Sequence, residues 1–108
     1  MVGPIRDALA PYRPSIKCAF VYGSVAKGDE TAKSDIDLMI VGSISPRKVS
    51  DLLADLPQRL GREINPLVMT LGECAARRRK KDHFLTTVIS APKLMVLGTD
   101  DDLARLGT

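Results

Sequence analysis

Apolar and polar positions alternate along the chain with two different periods. Short runs rich in β-branched residues, bounded by glycine, proline and serine, predict strands, and apolar residues three or four positions apart predict helices. The strands are expected at residues 16–22, 36–41, 63–69 and 93–97. The helices are expected at residues 4–9, 46–60 and 70–89, with a short turn at 24–27 and a last helix after residue 99. Helices that alternate with strands in this way predict an α/β or α+β fold, in which helices pack on a sheet.

The ends and breaks of several elements carry signals of their own. Pro57 falls in the last turn of the helix at 46–60 and should kink or shorten it. Pro66 cannot donate a ladder hydrogen bond, so its strand belongs at a sheet edge or contains a bulge. Thr70 and Glu73 have the spacing of a capping box, which opens the long helix. The apolar side expected for that helix consists of Cys74, Phe84, Leu85, Val88 and Ile89.

Composition narrows the class of protein. The chain has 108 residues, of which 44% are hydrophobic and 27% charged, so we expect a folded protein with a single domain over residues 1–108. Only 4% of the residues are aromatic and none is tryptophan, which disfavours a stacking platform for single-stranded nucleic acid. The basic run at residues 77–81 is typical of a solvated helix face, and nucleic-acid binding or docking of an acidic partner is the less common interpretation.

The cysteines and the apolar runs indicate the compartment. Cys18 and Cys74 have no neighbouring metal ligands in the sequence, which favours buried reduced thiols over a disulfide or a zinc site. The first residues are charged and interrupted by proline, and no stretch approaches 18 apolar residues. We therefore expect neither a signal peptide nor a membrane span, and a cytoplasmic location.

Two carboxylates stand in the apolar second strand. Asp35 and Asp37 are two positions apart, so in an extended chain both side chains leave the same face, while Ile36 and Leu38 point the other way. Without a further signal, two solvated acids at the end of a strand would be the ordinary interpretation. Carboxylates this close repel each other unless a cation lies between them. Mg²⁺ is the natural candidate, because it is commonly bound by one or two carboxylates together with substrate phosphates.

That further signal is a turn between the first two strands. At Gly23 the missing side chain lets a phosphate approach the backbone, and the helical turn that begins at Ser24 offers free N–H groups to an anion. Lys27 and Lys33 are candidates to neutralise a triphosphate, although solvated loop lysines fit the pattern equally well. A phosphate cradle beside a magnesium pair indicates phosphoryl or nucleotidyl transfer.

The same residues carry a resemblance to a known family. Residues 23–28 (GSVAKG) and 34–38 (SDIDL) resemble the two halves of the G-S-x-A-x-G…S-D-x-D-L signature of the DNA polymerase β-like nucleotidyltransferase superfamily. The short chain resembles the minimal nucleotidyltransferases, which lack the substrate-binding domain of larger members. The resemblance implies the nucleotidyltransferase fold, a small mixed β-sheet flanked by helices.

The resemblance also implies the ligands of the metal site. Members of the family hold two Mg²⁺ ions with an aspartate pair and a third carboxylate on the next strand, which here implies Asp35, Asp37 and a residue of the strand at 63–69. Glu63 and Asn65 share a face of that strand, and Glu63 is favoured because it carries a charge. Asp37 or Glu63 would help to remove the proton of the acceptor.

The implied reaction transfers a nucleoside monophosphate, in our interpretation AMP from ATP, to an acceptor hydroxyl. Minimal members of the family often work beside a separate helical protein, so the acceptor is expected on such a partner. The alternative is a catalytically weak or inactive module, antitoxin-like or regulatory, that pairs with a helical partner. The intact carboxylate pair favours activity, and the glutamate in place of the third aspartate, together with the missing substrate-binding domain, favours dependence on a partner.

Overall fold

The computed structural model describes residues 2–23, 26, 28 and 35–105. Its strands are β1 (Ile16–Tyr22), β2 (Ile36–Gly42), β3 (Ile64–Met69) and β4 (Leu94–Leu97). Its α-helices are α1 (Val2–Leu9), α2 (Pro46–Leu52), α3 (Leu56–Leu60), α4 (Leu71–Arg79), α5 (His83–Ser90) and α6 (Asp100–Ala104), and a 3₁₀ helix (Ala10–Ser15) follows α1. The four predicted strands are therefore confirmed, each within one residue at either end.

The strands form one mixed sheet in the order β3-β2-β1-β4. β1 runs antiparallel to both β2 and β4, and β2 runs parallel to β3. The mixed sheet implied by the family resemblance is confirmed. Pro66 lies in the edge strand β3, opposite Leu38, which agrees with the edge position expected of a strand that contains proline.

Apolar residues fill both faces of the sheet. Along β2, Ile36, Leu38 and Ile40 are buried in a cluster with residues of α1, α2 and α3. Met39 and Val41 point to the other face and are buried with residues of α4, α5 and α6. By the same alternation, Asp35 and Asp37 belong to the face of Met39, at the point where its apolar lining ends.

The helix predicted over residues 46–60 is wrong as one element. Residues 53–55 form a turn, and α2 and α3 lie on either side of it. Pro57 lies in the first turn of α3, where a missing N–H is tolerated because first-turn amides have no partner within the helix. The proline therefore starts a second helix instead of kinking the end of the first.

The long helix predicted over residues 70–89 is also divided. Its capping box is confirmed, since the Thr70 hydroxyl accepts from the Glu73 amide and the Glu73 carboxylate accepts from the Thr70 amide. The helix ends at Arg79, and Lys81 has a left-handed backbone with φ of 55°. Asp82 then caps α5 by accepting a hydrogen bond of 2.9 Å from the Leu85 amide. Because Asp82 is a good N-cap residue, it favours the start of a new helix at this point over continuation of α4.

The remaining expectations concern single residues and membrane spans. Cys18 and Cys74 are both free and buried, as predicted. Phe84, which was expected on the buried side of the long helix, is 40% exposed, because α5 begins anew at His83 with its own orientation. Among the helices of the described residues, none is long and apolar enough to cross a membrane.

Candidate active site

The second strand of the sheet places Asp37 between aromatic and amide side chains. Asp37 is half-buried in β2, and its register partners are Tyr22 on β1 and Asn65 on β3. Asp35, one residue before β2 begins, is exposed. One carboxylate is thus enclosed by both neighbouring strands and the other lies at the solvent edge of the same face.

The turn after β1 lies directly against the half-buried acid. Gly23 has φ of +77°, a conformation that favours glycine. A Cβ atom at this position would lie 2.5 Å from Oδ2 of Asp37, closer than a real carbon can approach. The structure therefore brings together two of the predicted site residues, the phosphate-turn glycine and the second aspartate of the pair.

The start of β3 contacts the first acid. The side-chain amide of Asn65 donates a hydrogen bond of 3.3 Å from Nδ2 to Oδ2 of Asp35. Glu63 precedes β3, and its backbone carbonyl accepts a hydrogen bond of 2.9 Å from the Ile36 amide. These contacts arise because β3 runs parallel to β2 with Asn65 in register with Asp37.

Glu63 and Asp35 line one cavity. This cavity of about 320 Å³ is lined by Asp35, Pro57, Gln58, Gly61, Arg62 and Glu63. A second cavity, of about 420 Å³, lies at the opposite ends of β2 and β3 and is lined by neither acid of the pair. The space that adjoins the predicted chemistry is therefore the one between α3 and the start of β3.

The three predicted carboxylates do not form a compact cluster. Over residues 2–23 and 35–105, no three histidine, cysteine, aspartate or glutamate side chains are grouped closely enough to hold a metal ion. The side-chain amide of Asn65 nevertheless contacts Asp35, its backbone is in register with Asp37, and it carries an oxygen of its own. Two carboxylates and an amide oxygen are the hard donors that suit Mg²⁺.

Two aromatic residues complete the surroundings and were not predicted. Tyr22, opposite Asp37, has a raised pKa because its hydroxyl is partly buried and because the Asp37 charge disfavours the phenolate. The Phe84 ring meets the Tyr22 ring edge-on at a centroid distance of 6.0 Å. Tyr22 could have been found from sequence, since it immediately precedes the GSVAKG motif, but the position of Phe84 depends on where α5 begins.

Other predicted residues lie elsewhere. Ser24, Lys27 and Lys33 lie outside the described residues. The basic run ends α4 and continues through the turn that follows it, and residues 79–81 are exposed, as expected of a solvated face. Arg78 is half-buried and donates a hydrogen bond of 3.4 Å to the Ala104 carbonyl, which links α4 to α6.

Solved structures share this fold. A chain from a toxin–antitoxin structure with AMP-PNP superposes with a TM-score of 0.67 and 18% identity, covering 98% of this chain and 80% of that one. A variant of the toxin–antitoxin MntA–HpeT with two aspartate-to-glutamate substitutions gives 0.70 and 15%, covering 99% and 81%. A structure of the tri-AMPylated Shewanella oneidensis HEPN toxin with the MNT antitoxin gives 0.56 and 14%, also covering 99% and 81%. At these identities the likeness shows the fold.

Sequence comparison identifies the family. A Methanocaldococcus jannaschii protein, provisionally named protein adenylyltransferase MJ0604, is 44% identical over 57 residues, which are 53% of this chain and 57% of the relative. The match thus spans little more than half of the relative's length. The family described as polymerase beta nucleotidyltransferase matches residues 5–72. Because that match covers more than half of the chain and contains the Gly23 turn, both aspartates and Asn65, this chain belongs to the polymerase beta nucleotidyltransferase family.

Proposed function

We propose that this chain is a magnesium-dependent nucleotidyltransferase that transfers AMP from ATP to an acceptor hydroxyl. The observation that carries the proposal is the contact between the Gly23 turn and the Asp37 carboxylate. A phosphate can approach the backbone at Gly23, and the adjacent Asp37 can bind the Mg²⁺ that accompanies a nucleoside triphosphate. The name of the Methanocaldococcus relative and the AMP-PNP in one structural neighbour support ATP as the nucleotide.

In this proposal Asp35 and Asp37 hold the metal. Both leave one face at the start of β2, and Asp37 is half-buried, so water screens its charge less than that of the exposed Asp35. When bound there, Mg²⁺ would neutralise charge on the phosphates and make the acceptor hydroxyl more acidic. The residues themselves supply the oxygen donors and fix their spacing.

Charge and contact favour different residues for the third donor. Glu63 carries a charge, which is why the sequence favours it as the third metal ligand. Asn65 has the contact, because its amide touches Asp35 and its backbone is in register with Asp37. We assign the third place to Asn65, because its side chain contacts the acid pair. Glu63 lines the adjoining cavity, in which this proposal places the acceptor.

The transfer itself is a substitution at the α-phosphorus of ATP. The acceptor oxygen forms a bond to that phosphorus, and the bond to pyrophosphate breaks. The Gly23 turn holds the phosphates by backbone N–H groups, and an acid of the site, Asp37 or Glu63, takes the proton of the acceptor. A site that fixes both reactants removes part of the entropic barrier.

The acceptor belongs, in this proposal, to a partner protein. The three structural neighbours come from toxin–antitoxin complexes, and in one of them the toxin is tri-AMPylated. We propose a small helical protein in the cytoplasm as the acceptor. The same neighbours favour a second candidate function, in which the chain binds such a partner and neutralises it without transferring AMP.

Labelled ATP distinguishes the two functions. The chain is incubated with α-labelled ATP, Mg²⁺ and, as candidate acceptors, the proteins encoded by the genes that flank its own. Label on the partner that disappears with Asp37→Asn supports the transferase. A tight complex that gains no label, with wild-type chain and Mg²⁺ present, supports the binding module and overturns the transferase.

A further inference from the structure

An exposed aromatic ring adjoins the proposed phosphate turn. Phe84 lies in the first turn of α5 and is 40% exposed, whereas Leu85 and Val88 of the same helix are buried. Its ring contacts Tyr22 edge-on, with centroids 6.0 Å apart and an interplanar angle of 78°. Tyr22 immediately precedes Gly23 in the chain, so Phe84 contacts the residue that is bonded to the turn.

Packing alone does not account for this ring. Tyr22 also contacts Phe20 at 6.2 Å, and Phe20 is fully buried, so the apolar cluster under Tyr22 is complete without Phe84. What distinguishes Phe84 from another exposed apolar side chain, Leu71, is its contact with Tyr22, which lies opposite Asp37. An edge-on contact engages only part of each π surface. Phe84 keeps 40% of its surface open to solvent, on the face of the sheet that carries Tyr22 and Asp37.

We propose that Phe84, supported by Tyr22, is a stacking surface for the base of the nucleoside triphosphate. The inference rests on the proposed function, because the Gly23 turn must hold the phosphates for the base to arrive here. The base is the planar part of the ligand that the acids and the turn do not engage. Stacking on an aromatic ring accepts every base, since every base has a π face.

A comparison of two ligands isolates the base. Calorimetry gives the affinity of the wild type, Phe84→Ala and Phe84→Leu for ATP and for inorganic tripolyphosphate, both with Mg²⁺. Loss of one stacking contact should weaken ATP binding by about tenfold and leave tripolyphosphate binding unchanged. Leu71→Ala is the matched control, because Leu71 is 45% exposed at the start of α4, beyond the far end of β3.

A fluorescent variant reports stacking directly. The chain has no tryptophan, so Phe84→Trp introduces a single indole at the proposed surface. ATP with Mg²⁺ should quench its emission, and tripolyphosphate with Mg²⁺ should not. Leu71→Trp should respond to neither ligand.

The outcomes separate this inference from the function beneath it. Unchanged ATP affinity in Phe84→Ala and Phe84→Leu would overturn the stacking surface. So would indole emission in Phe84→Trp that does not change although ATP binds. Neither result would contradict the proposed transferase. Equal weakening of ATP and tripolyphosphate would overturn the stacking surface too, because the damage would then not be specific to the base. Wild-type chain that binds neither ligand would overturn the proposed function, and the inference with it.

Discussion

The carboxylate of Asp37 packs directly against the backbone of Gly23. The space that a side chain at position 23 would need is filled by Oδ2 of Asp37, 2.5 Å from the position of a Cβ. The first residue of the GSVAKG motif and the second aspartate of the SDIDL motif are thus in contact through Oδ2 of Asp37. Two features favour glycine there, the positive φ and the neighbouring carboxylate.

This contact separates two effects of substituting glycine. Gly61 also has a positive φ, +69°, but no atom lies within 4 Å of its would-be Cβ. We expect Gly61→Ala to lose about 1 kcal/mol from backbone strain, and Gly23→Ala to lose about 0.5–1 kcal/mol more because the Asp37 carboxylate must rotate away. Urea unfolding of both variants measures the difference. Asp37→Ser in the Gly23→Ala background should recover part of the lost free energy of unfolding. If the effects of the two substitutions are simply additive in this double-mutant cycle, the contact is contradicted.

Removing either charge of the acid pair should affect binding and not folding. Asp35→Asn and Asp37→Asn keep the side-chain size and relieve repulsion, so the melting temperature without ligand should hold or rise. With wild-type chain, MgATP at a hundred times its Kd should add about 2.7 kcal/mol of stability. We expect the variants to lose most of this gain in a thermal shift assay. Equal stabilisation of the wild type and both variants would rule out the metal site.

The third oxygen donor can be identified by ranking two substitutions. Asn65→Ala removes the hydrogen bond to Asp35 and the amide oxygen, so we expect AMP transfer to fall at least tenfold and Mg²⁺ affinity to fall with it. Glu63→Gln should raise the KM for the acceptor and change Mg²⁺ affinity little. Asn65→Asp provides the complementary test, since a third carboxylate should strengthen Mg²⁺ binding and destabilise the metal-free chain. Loss of Mg²⁺ affinity in Glu63→Gln alone would return the third place to Glu63.

The strands were predictable because their signal is short-range. β1 matches its predicted bounds at both ends, since an apolar run between Ser15 and Gly23 contains all the information that sets it. The long helix was not, because its apolar positions continue at helical spacing across the break. The break depends on whether the Asp82 side chain caps a new helix, a local competition that periodicity does not register.

The site was predictable as far as its motif extends. Gly23, Asp35 and Asp37 lie within one stretch, and the strand period alone places both acids on one face. That Asn65 lies opposite Asp37 depends on the register of β3 on β2, which nothing local in the sequence specifies. Phe84 is sixty-two residues from Tyr22 in the chain, and only the break before α5 brings their rings together.

Cys18 gives the fold a pH dependence that can be isolated. The side chain is 0% exposed, and burial raises the pKa of its thiol from 9.0 to about 12, with further increases from Cys74 and Asp102 and a decrease from Lys17. The folded chain therefore holds this proton more tightly than the unfolded chain. Its contribution to stability is complete below pH 9 and is lost progressively as the pH rises from about 9 towards 12.

Comparison with Cys18→Ala removes the contribution of every other titrating group. We expect the free energy of unfolding in urea to fall more steeply between pH 9 and 11 for the wild type than for Cys18→Ala, with similar slopes below pH 8. A thiol reagent should label Cys18 in the folded chain only at the rate of unfolding, because the protonated, buried sulfur is not a nucleophile. The contrary result would be equal slopes of unfolding free energy against pH for the two proteins, together with rapid labelling of the folded wild type. The cluster formed by β1, α4 and α5 would then admit water, and burial would not hold the thiol protonated.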